Sequence, residues 1–222
     1  MQGLDILYED NHIIAVNKPA GLLSQPTEQE NDSLEIRVKA WIKEKYHKPG
    51  NVFVGVIHRL DKPVSGIVLF AKTSKALSRL NDSIRSHKMQ KVYMALVEGI
   101  PAKKAGTLTH FLKQGDHCSI LSNAQDPEAK QAILHYETLK EFQSSALLQV
   151  ILETGRYHQI RCQCAAMGHP ILGDIRYGAK QRISNRDAIA LHHAKLTFPH
   201  PITQEAMHIE TAVPHFQERC ET

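Results

Sequence analysis

The chain is poor in cysteine, has one tryptophan and lacks any long apolar run. Four cysteines in 222 residues do not make a disulfide framework, so a small stapled secreted scaffold is excluded. The opening MQGLDILYEDNH has no basic segment followed by an apolar one, so no secretory signal is read there. No apolar run approaches the roughly 20 residues of a membrane helix. No internal repeat and no low-complexity tail interrupts the chain. The expected setting is soluble, reducing and cytoplasmic, with no membrane partner, and a monomer is the default.

What is present is ordinary for a globular protein: 42% hydrophobic and 23% charged residues, in a length that suits one domain or two small ones. The formal net charge is +4, with 14 histidines able to add to it in mild acid. That balance permits an RNA partner without demanding one.

The most informative stretch is 56–72, VIHRLDKPVSGIVLFAK. Apolar runs at 52–57 and 67–71 have strand length and β-branched composition. Between them His58, Arg59, Asp61 and Lys62 precede Pro63, Ser65 and Gly66. Proline removes a backbone donor and glycine opens conformations closed to other residues, so this reads as a loop held between buried strands. Asp61, between Arg59 and Lys62, is expected to be ionised at neutral pH, as a nucleophile or an acceptor. On spacing alone, a surface turn with a local ion pair is the simpler reading.

Around that stretch, 4–8 and 12–17 read as a hairpin, followed by the turn NKPAG, in which Lys18 is most simply a solvated residue. Asp32 or Ser33 can cap a helix to about residue 46, with Leu34, Val38, Trp41 and Ile42 on one face. Thr73 or Ser74 can cap a second helix to about residue 85, striped by Ala76, Leu77, Leu80 and Ile84. The segment 91–98, KVYMALVE, is a nearly continuous apolar strand whose alternation puts Tyr93, Ala95 and Val97 on one face. Strands are expected at 107–112 and 118–121, and a long hairpin at 129–139 and 146–152.

The second dense stretch is 153–168, ETGRYHQIRCQCAAMG. Gly155 is expected to allow a sharp turn into a helix that Gly168 ends. His158, Cys162, Cys164 and His169 invite a zinc reading. Cys162 and Cys164, two apart, point to opposite sides of a helix, and buried thiols are preferred. Beyond lie HPILGDIRYG, a basic loop at 180–186, and ALHHAKLTFPHP. His192 and His193 face opposite ways in a strand, so one is expected packed and the other exposed. A last strand is expected at 205–213.

Several of these segments together resemble one family. HRLDKPVSG is similar to the active-site motif of the RluA-type pseudouridine synthases, HRLD-x-x-TSG, with Val64 where threonine is commonest. NKPAG resembles that family's first motif, KPxG. Lys91, Tyr93, Ala95, Val97 and Gly99 match its K-x-Y-x-A-x-V-x-G element, and TGRYHQIR matches its TGR-x-HQIR element. HPILGDIRYG and LHHAKLTFPHP resemble its closing motifs. The matches run from Lys18 to Pro201.

The resemblance implies an α+β fold: a large, mostly antiparallel mixed sheet flanked by helices, with a central active-site cleft. It implies a single catalytic domain over 1–222, without the small N-terminal S4-type RNA-binding domain that several members carry. It implies isomerisation of uridine in tRNA, rRNA or both, with no metal and no other cofactor. The catalytic set it implies is Asp61, with Arg161 pairing the catalytic carboxylate and Tyr93 stacking on the target base. Arg59, Lys91 and Ile160 fall on the substrate side. Arg156 and His158 are assigned to the turn or to phosphate contacts.

Two other readings are weighed. A catalytically silent RNA-binding or ribosome-assembly protein predicts salt-sensitive binding without isomerisation. A nucleotide glycosidase would need two carboxylates flanking the bond, and Glu153 and Asp174 are second candidates only by proximity in sequence.

Overall fold

The computed structural model describes residues 3–180, 182–183, 187–214 and 216. Among them the chain runs β1 (Asp5–Glu9), β2 (Ile13–Lys18), α1 (Leu34–Lys45), β3 (Gly55–Val56), β4 (Ser65–Ala71), α2 (Ser74–Arg85), β5 (Gln90–Glu98), β6 (Ala105–Gln114), β7 (Ser119–Ser122), β8 (Lys130–Glu141), β9 (Ser145–Leu152), α3 (Gln159–Ala166), β10 (Leu191–Pro199) and β11 (Ala206–Glu210). The class is α+β, with a large mixed sheet. Its pairs β1–β2, β2–β4, β3–β4, β5–β9, β8–β9, β6–β8, β6–β7 and β10–β11 are antiparallel. The chain forms two compact units, Met1–Gln90 with His193–Ala212 and Lys91–His192 with Val213–Thr222. The expected basic loop at 180–186 lies partly outside the described residues.

In the first unit β1 and β2 form the expected hairpin. Its turn is closed by the Asp10 carboxylate, which accepts from the backbone N–H groups of His12 and Ile13 at 2.7 Å each. β2 pairs along its length with β4, Ile13 opposite Ala71 and Lys18 opposite Gly66. The core gathers Ile13, Ala15, Ile67, Leu69 and Ala71 with Ala76 and Leu80 of α2 and Leu196 and Phe198 of β10. Both helices start where polar caps were expected: Ser33 accepts from the N–H of Ile36, and Thr73 from that of Ala76. Trp41 is only half-buried, with the Lys45 ammonium 4.5 Å from its ring centroid. It is therefore a helix-surface residue under a cation and not the core residue its apolar face suggested.

The strand expected at 52–57 is cut to Gly55–Val56. Gly55 pairs with Ala71, where β4 ends, so residues before it have no strand to pair with. Beyond Val56 the backbone of His193 lies against Gly66: a Cβ there would stand 2.4 Å from the His193 carbonyl oxygen. His193 Nδ1 also lies 2.7 Å from the Ile67 carbonyl. The chain must leave the ladder, and the Leu69 N–H is met by the His58 ring nitrogen Nε2 at 3.3 Å. A side chain thus replaces a strand at that position.

In the second unit the strand order is β5-β9-β8-β6-β7. Tyr93 stands opposite Val150, which stands opposite Tyr136. His192 and His193 are both buried, against the expectation that one would be exposed. Their strand begins with four buried residues, covered on both faces, so alternation there does not separate core from solvent.

Gly66 has φ +116°, a conformation closed to side chains, as well as backbone in the way of a Cβ. Gly66→Ala should therefore cost at least about 2 kcal/mol in denaturant unfolding. Gly168→Ala should cost only about 1–2 kcal/mol. Gly168 also has a positive φ, but no atom lies within 4 Å of its would-be Cβ. Equal losses would mean that the contact with His193 is not what selects glycine at position 66.

Candidate active site

Asp61 opens a tight turn, its carbonyl accepting from the Val64 N–H at 3.0 Å. The residues on both sides of it are held by the segment 18–24. On the N-terminal side the Ser24 hydroxyl donates to the Leu60 carbonyl at 2.7 Å and accepts from the Leu60 N–H at 3.0 Å. On the C-terminal side the Lys62 carbonyl accepts from the Gly21 N–H at 2.8 Å and from Lys18 Nζ at 3.2 Å. The carboxylate is half-buried, Arg59 is exposed, and Lys62 reaches away to Glu30 at 2.6 Å. Val64 is buried.

Lys18 is not the solvated turn residue expected. It is fully buried, and its ammonium donates to the carbonyls of Pro19 (3.0 Å), Leu22 (2.7 Å) and Lys62. Burial draws its pKa down to about 7, while the negative charge of Asp61 works the other way. Lys18, from a distant segment, is thus a buried cation that Asp61 feels. The available signal was alternation: Lys18 ends an apolar strand and shares a face with Val16.

In the second unit Lys91 and Tyr93 project from one face of β5. Tyr93 is buried, and burial also lowers the pKa of Lys91, whose ammonium lies 3.9 Å from where a Cβ on Gly155 would stand. The turn into α3 is not made by a left-handed glycine at 155. His158 takes that conformation, at φ 48° and ψ 26°, one residue before the helix. Thr154 and Gln159 tie the turn down: Thr154 Oγ1 donates to Gln159 Oε1 (2.9 Å), and Gln159 Nε2 donates to the Ile133 carbonyl (3.0 Å).

The first turn of α3 carries Ile160 and Arg161, both buried. The Arg161 guanidinium holds the Asp174 carboxylate through two parallel hydrogen bonds, Nε to Oδ2 at 2.7 Å and Nη2 to Oδ1 at 2.8 Å. Its Nη1 donates to His158 Nε2 at 2.9 Å. Arginine only donates, so His158 carries its proton on Nδ1 and gives it to the Tyr177 oxygen at 3.0 Å. That oxygen also accepts from the Ser119 N–H at 2.7 Å, and the guanidinium carbon lies 5.0 Å from the Tyr177 ring centroid. Burial and the neighbouring Arg161 charge push His158 down to about 3, and burial raises the Tyr177 hydroxyl.

Asp174 is a candidate by proximity alone in the sequence, yet it is the carboxylate that fixes Arg161 in this unit. Its loop is moored to β5 by a backbone bond in which the Leu172 N–H donates to the Leu96 carbonyl at 2.9 Å. Among the described residues no group of three or more His, Cys, Asp or Glu could hold a metal ion. His158 is engaged as above, His169 bonds the Glu98 carbonyl at 2.8 Å, and Cys162 and Cys164 are buried thiols, with Cys164 raised to about 12 by burial.

Residues 12–166 match the family model described as RNA pseudouridylate synthase. The chain belongs to the RNA pseudouridylate synthase family. It is 34% identical to an uncharacterised RNA pseudouridine synthase of Bacillus subtilis over 95% of this chain and 69% of that one. It is 33% identical to a dual-specificity RNA pseudouridine synthase of Vibrio cholerae over 89% of this chain and 78% of that one. The human RNA pseudouridylate synthase domain-containing protein 4 has the same fold, with a TM-score of 0.80 at 22% identity over 96% of this chain and 90% of that one. The synthase is thus an RNA uridine-to-pseudouridine isomerase, and no observation favours a catalytically silent protein on this scaffold. Among the described residues no helix is long and apolar enough to cross a membrane.

The buried histidines make the synthase acid-sensitive. His158 and His192, lowered to about 3 and about 4, stay neutral in the folded chain and take up protons near pH 6.5 when unfolded. Their contribution is present above about pH 6.5 and lost as pH falls toward 4 and 3, at up to about 1.4 kcal/mol per pH unit for each. Calorimetric Tm should drop between pH 6.5 and 4, with a shallower slope in His158→Gln. An unchanged slope in that variant would remove His158 from the acid response.

Proposed function

We propose that Asp61 is the catalytic carboxylate of the synthase, acting on the ribose of the target uridine by attack or by proton abstraction. The observation that carries this reading is the double clamp on Leu60 and Lys62, which presents one half-buried carboxylate from a backbone fixed on both sides. The reaction breaks the N1–C1′ bond, turns the uracil and joins C5 to C1′. The proton lost from C5 balances the one gained at N1, so no redox equivalent is consumed.

Arg161 orients Asp61 in this proposal. A guanidinium has five N–H donors, and the side-on pair grips Asp174 while one more goes to His158. The family resemblance makes Arg161 the partner of the catalytic carboxylate, and a guanidinium can hold such a group ionised and oriented. Tyr93 stacks on the uracil and Ile160 adds apolar cover. Lys91 attracts the RNA backbone, and exposed Arg59 fills the gap left by the extruded nucleotide. Extrusion costs a few kcal/mol in a duplex and less in a loop, which favours structured RNA with unstacked bases.

The whole chain 1–222 serves as one catalytic domain, monomeric and cytoplasmic, and needs no metal for this chemistry. Relatives named as ribosomal large subunit pseudouridine synthases C and D make large-subunit rRNA the first substrate to try, and tRNA is the other RNA that the family resemblance implies.

Pseudouridine-free tRNA and rRNA incubated with the protein should gain one or a few pseudouridines, mapped by chemical labelling. Asp61→Asn should keep the wild-type Tm within about 2 °C and yield no product; substantial product from it would dismiss Asp61. Tyr93→Phe keeps the ring and loses the hydroxyl. A fall in kcat of tenfold or more would give that hydroxyl a part in proton transfer, whereas unchanged turnover leaves Tyr93 a stacking residue only.

A further inference from the structure

We propose that Tyr157 is a stacking platform for an unpaired base next to the target uridine, outside the catalytic set. Tyr157 is 41% exposed, although it lies between Arg156 and the buried His158. Its ring stacks face to face on the His158 imidazole, with centroids 3.9 Å apart and planes 21° from parallel. That imidazole cannot turn away, because Nε2 is held by Arg161 and Nδ1 by Tyr177. The Tyr157 backbone is fixed as well, its carbonyl accepting from the Ser119 hydroxyl. An exposed aromatic ring on a rigid backing loses little freedom when something stacks on it.

The charge around the ring selects the occupant. Arg156 is exposed, its Nε on the Gln131 carbonyl. Arg176 is exposed and bonds the His117 carbonyl, two residues from the Ser119 that fixes Tyr157. Arg156 precedes Tyr157 in the chain and the Arg176 charge acts on the His158 imidazole under it, so two exposed arginines accompany a partly exposed ring, a set that suits a phosphate–base unit of single-stranded RNA. Every base has a π-face, so the platform sets how RNA is seated without reading one sequence.

The inference rests on the synthase acting on RNA but not on Asp61. The test compares wild type with Tyr157→Ala, Tyr157→Leu and Tyr157→Phe on a stem–loop RNA carrying the mapped uridine. Leucine still covers the imidazole but has no π-face. Alanine and leucine should both raise KM at least about fivefold with kcat within twofold, the size expected for one lost stack. Phenylalanine should restore wild-type KM. With 2-aminopurine at single positions flanking the uridine, quenching on binding should weaken at one position in the alanine and leucine variants. It should persist in Asp61→Asn, which separates the platform from the chemistry. Unchanged KM in the alanine variant would overturn the proposal. So would rescue by leucine as complete as by phenylalanine, or a fall in kcat and Tm with KM unmoved, each of which marks Tyr157 as a cover for His158.

Discussion

A buried ammonium governs the first unit. Lys18 loses its hydration on folding, which for an ion costs several kcal/mol unless its donors are met. Its three N–H groups find three carbonyls, two from its own turn and one from Lys62, 44 residues on. That requirement joins the NKPAG turn to the HRLDKP loop, because the cation's third acceptor and the negative charge of Asp61 both come from that loop. Ser24 repeats the connection one residue before Asp61, as donor and acceptor at once. The carboxylate can then stay half-exposed without being mobile.

The second unit uses the same logic with a guanidinium. Arg161 is buried because Asp174 takes its side-on edge and a neutral imidazole takes a further N–H. A protonated His158 would have no acceptor to offer and would place a second positive charge against the first. The neutral state of His158, favoured by burial and by the Arg161 charge, is therefore also a condition of the Arg161 geometry. Tyr177 and Ser119 extend the chain of fixed groups to the surface, where Tyr157 lies on the imidazole.

Local rules account for much of the fold. The N-caps Ser33 and Thr73, the first hairpin, the long strands β5, β8 and β9 and the left-handed Gly168 follow from composition, period and turn chemistry, because each depends on neighbours within a few residues. The misses share one cause. Residues 52–57 are β-branched enough for a strand but lack a partner beyond Ala71. Trp41 shares a face with the buried Leu34, Val38 and Ile42 but is itself only half-covered. His192 and His193 alternate in a strand buried on both sides. In each case propensity is right and the partner decides.

The sequence by itself determined the chemistry on offer: an Asp in a Pro–Gly loop, a Tyr on an apolar strand, an Arg at the head of a short helix, and their likeness to one enzyme family. Only the tertiary structure decided which charges are buried and what meets them. Lys18 read as a turn residue and Asp174 as a candidate by proximity alone, because a polar residue in sequence looks the same whether its side chain meets water or a buried partner. Burial and pairing are properties of what is brought alongside, and residues 44 apart in the chain carry no local trace of meeting.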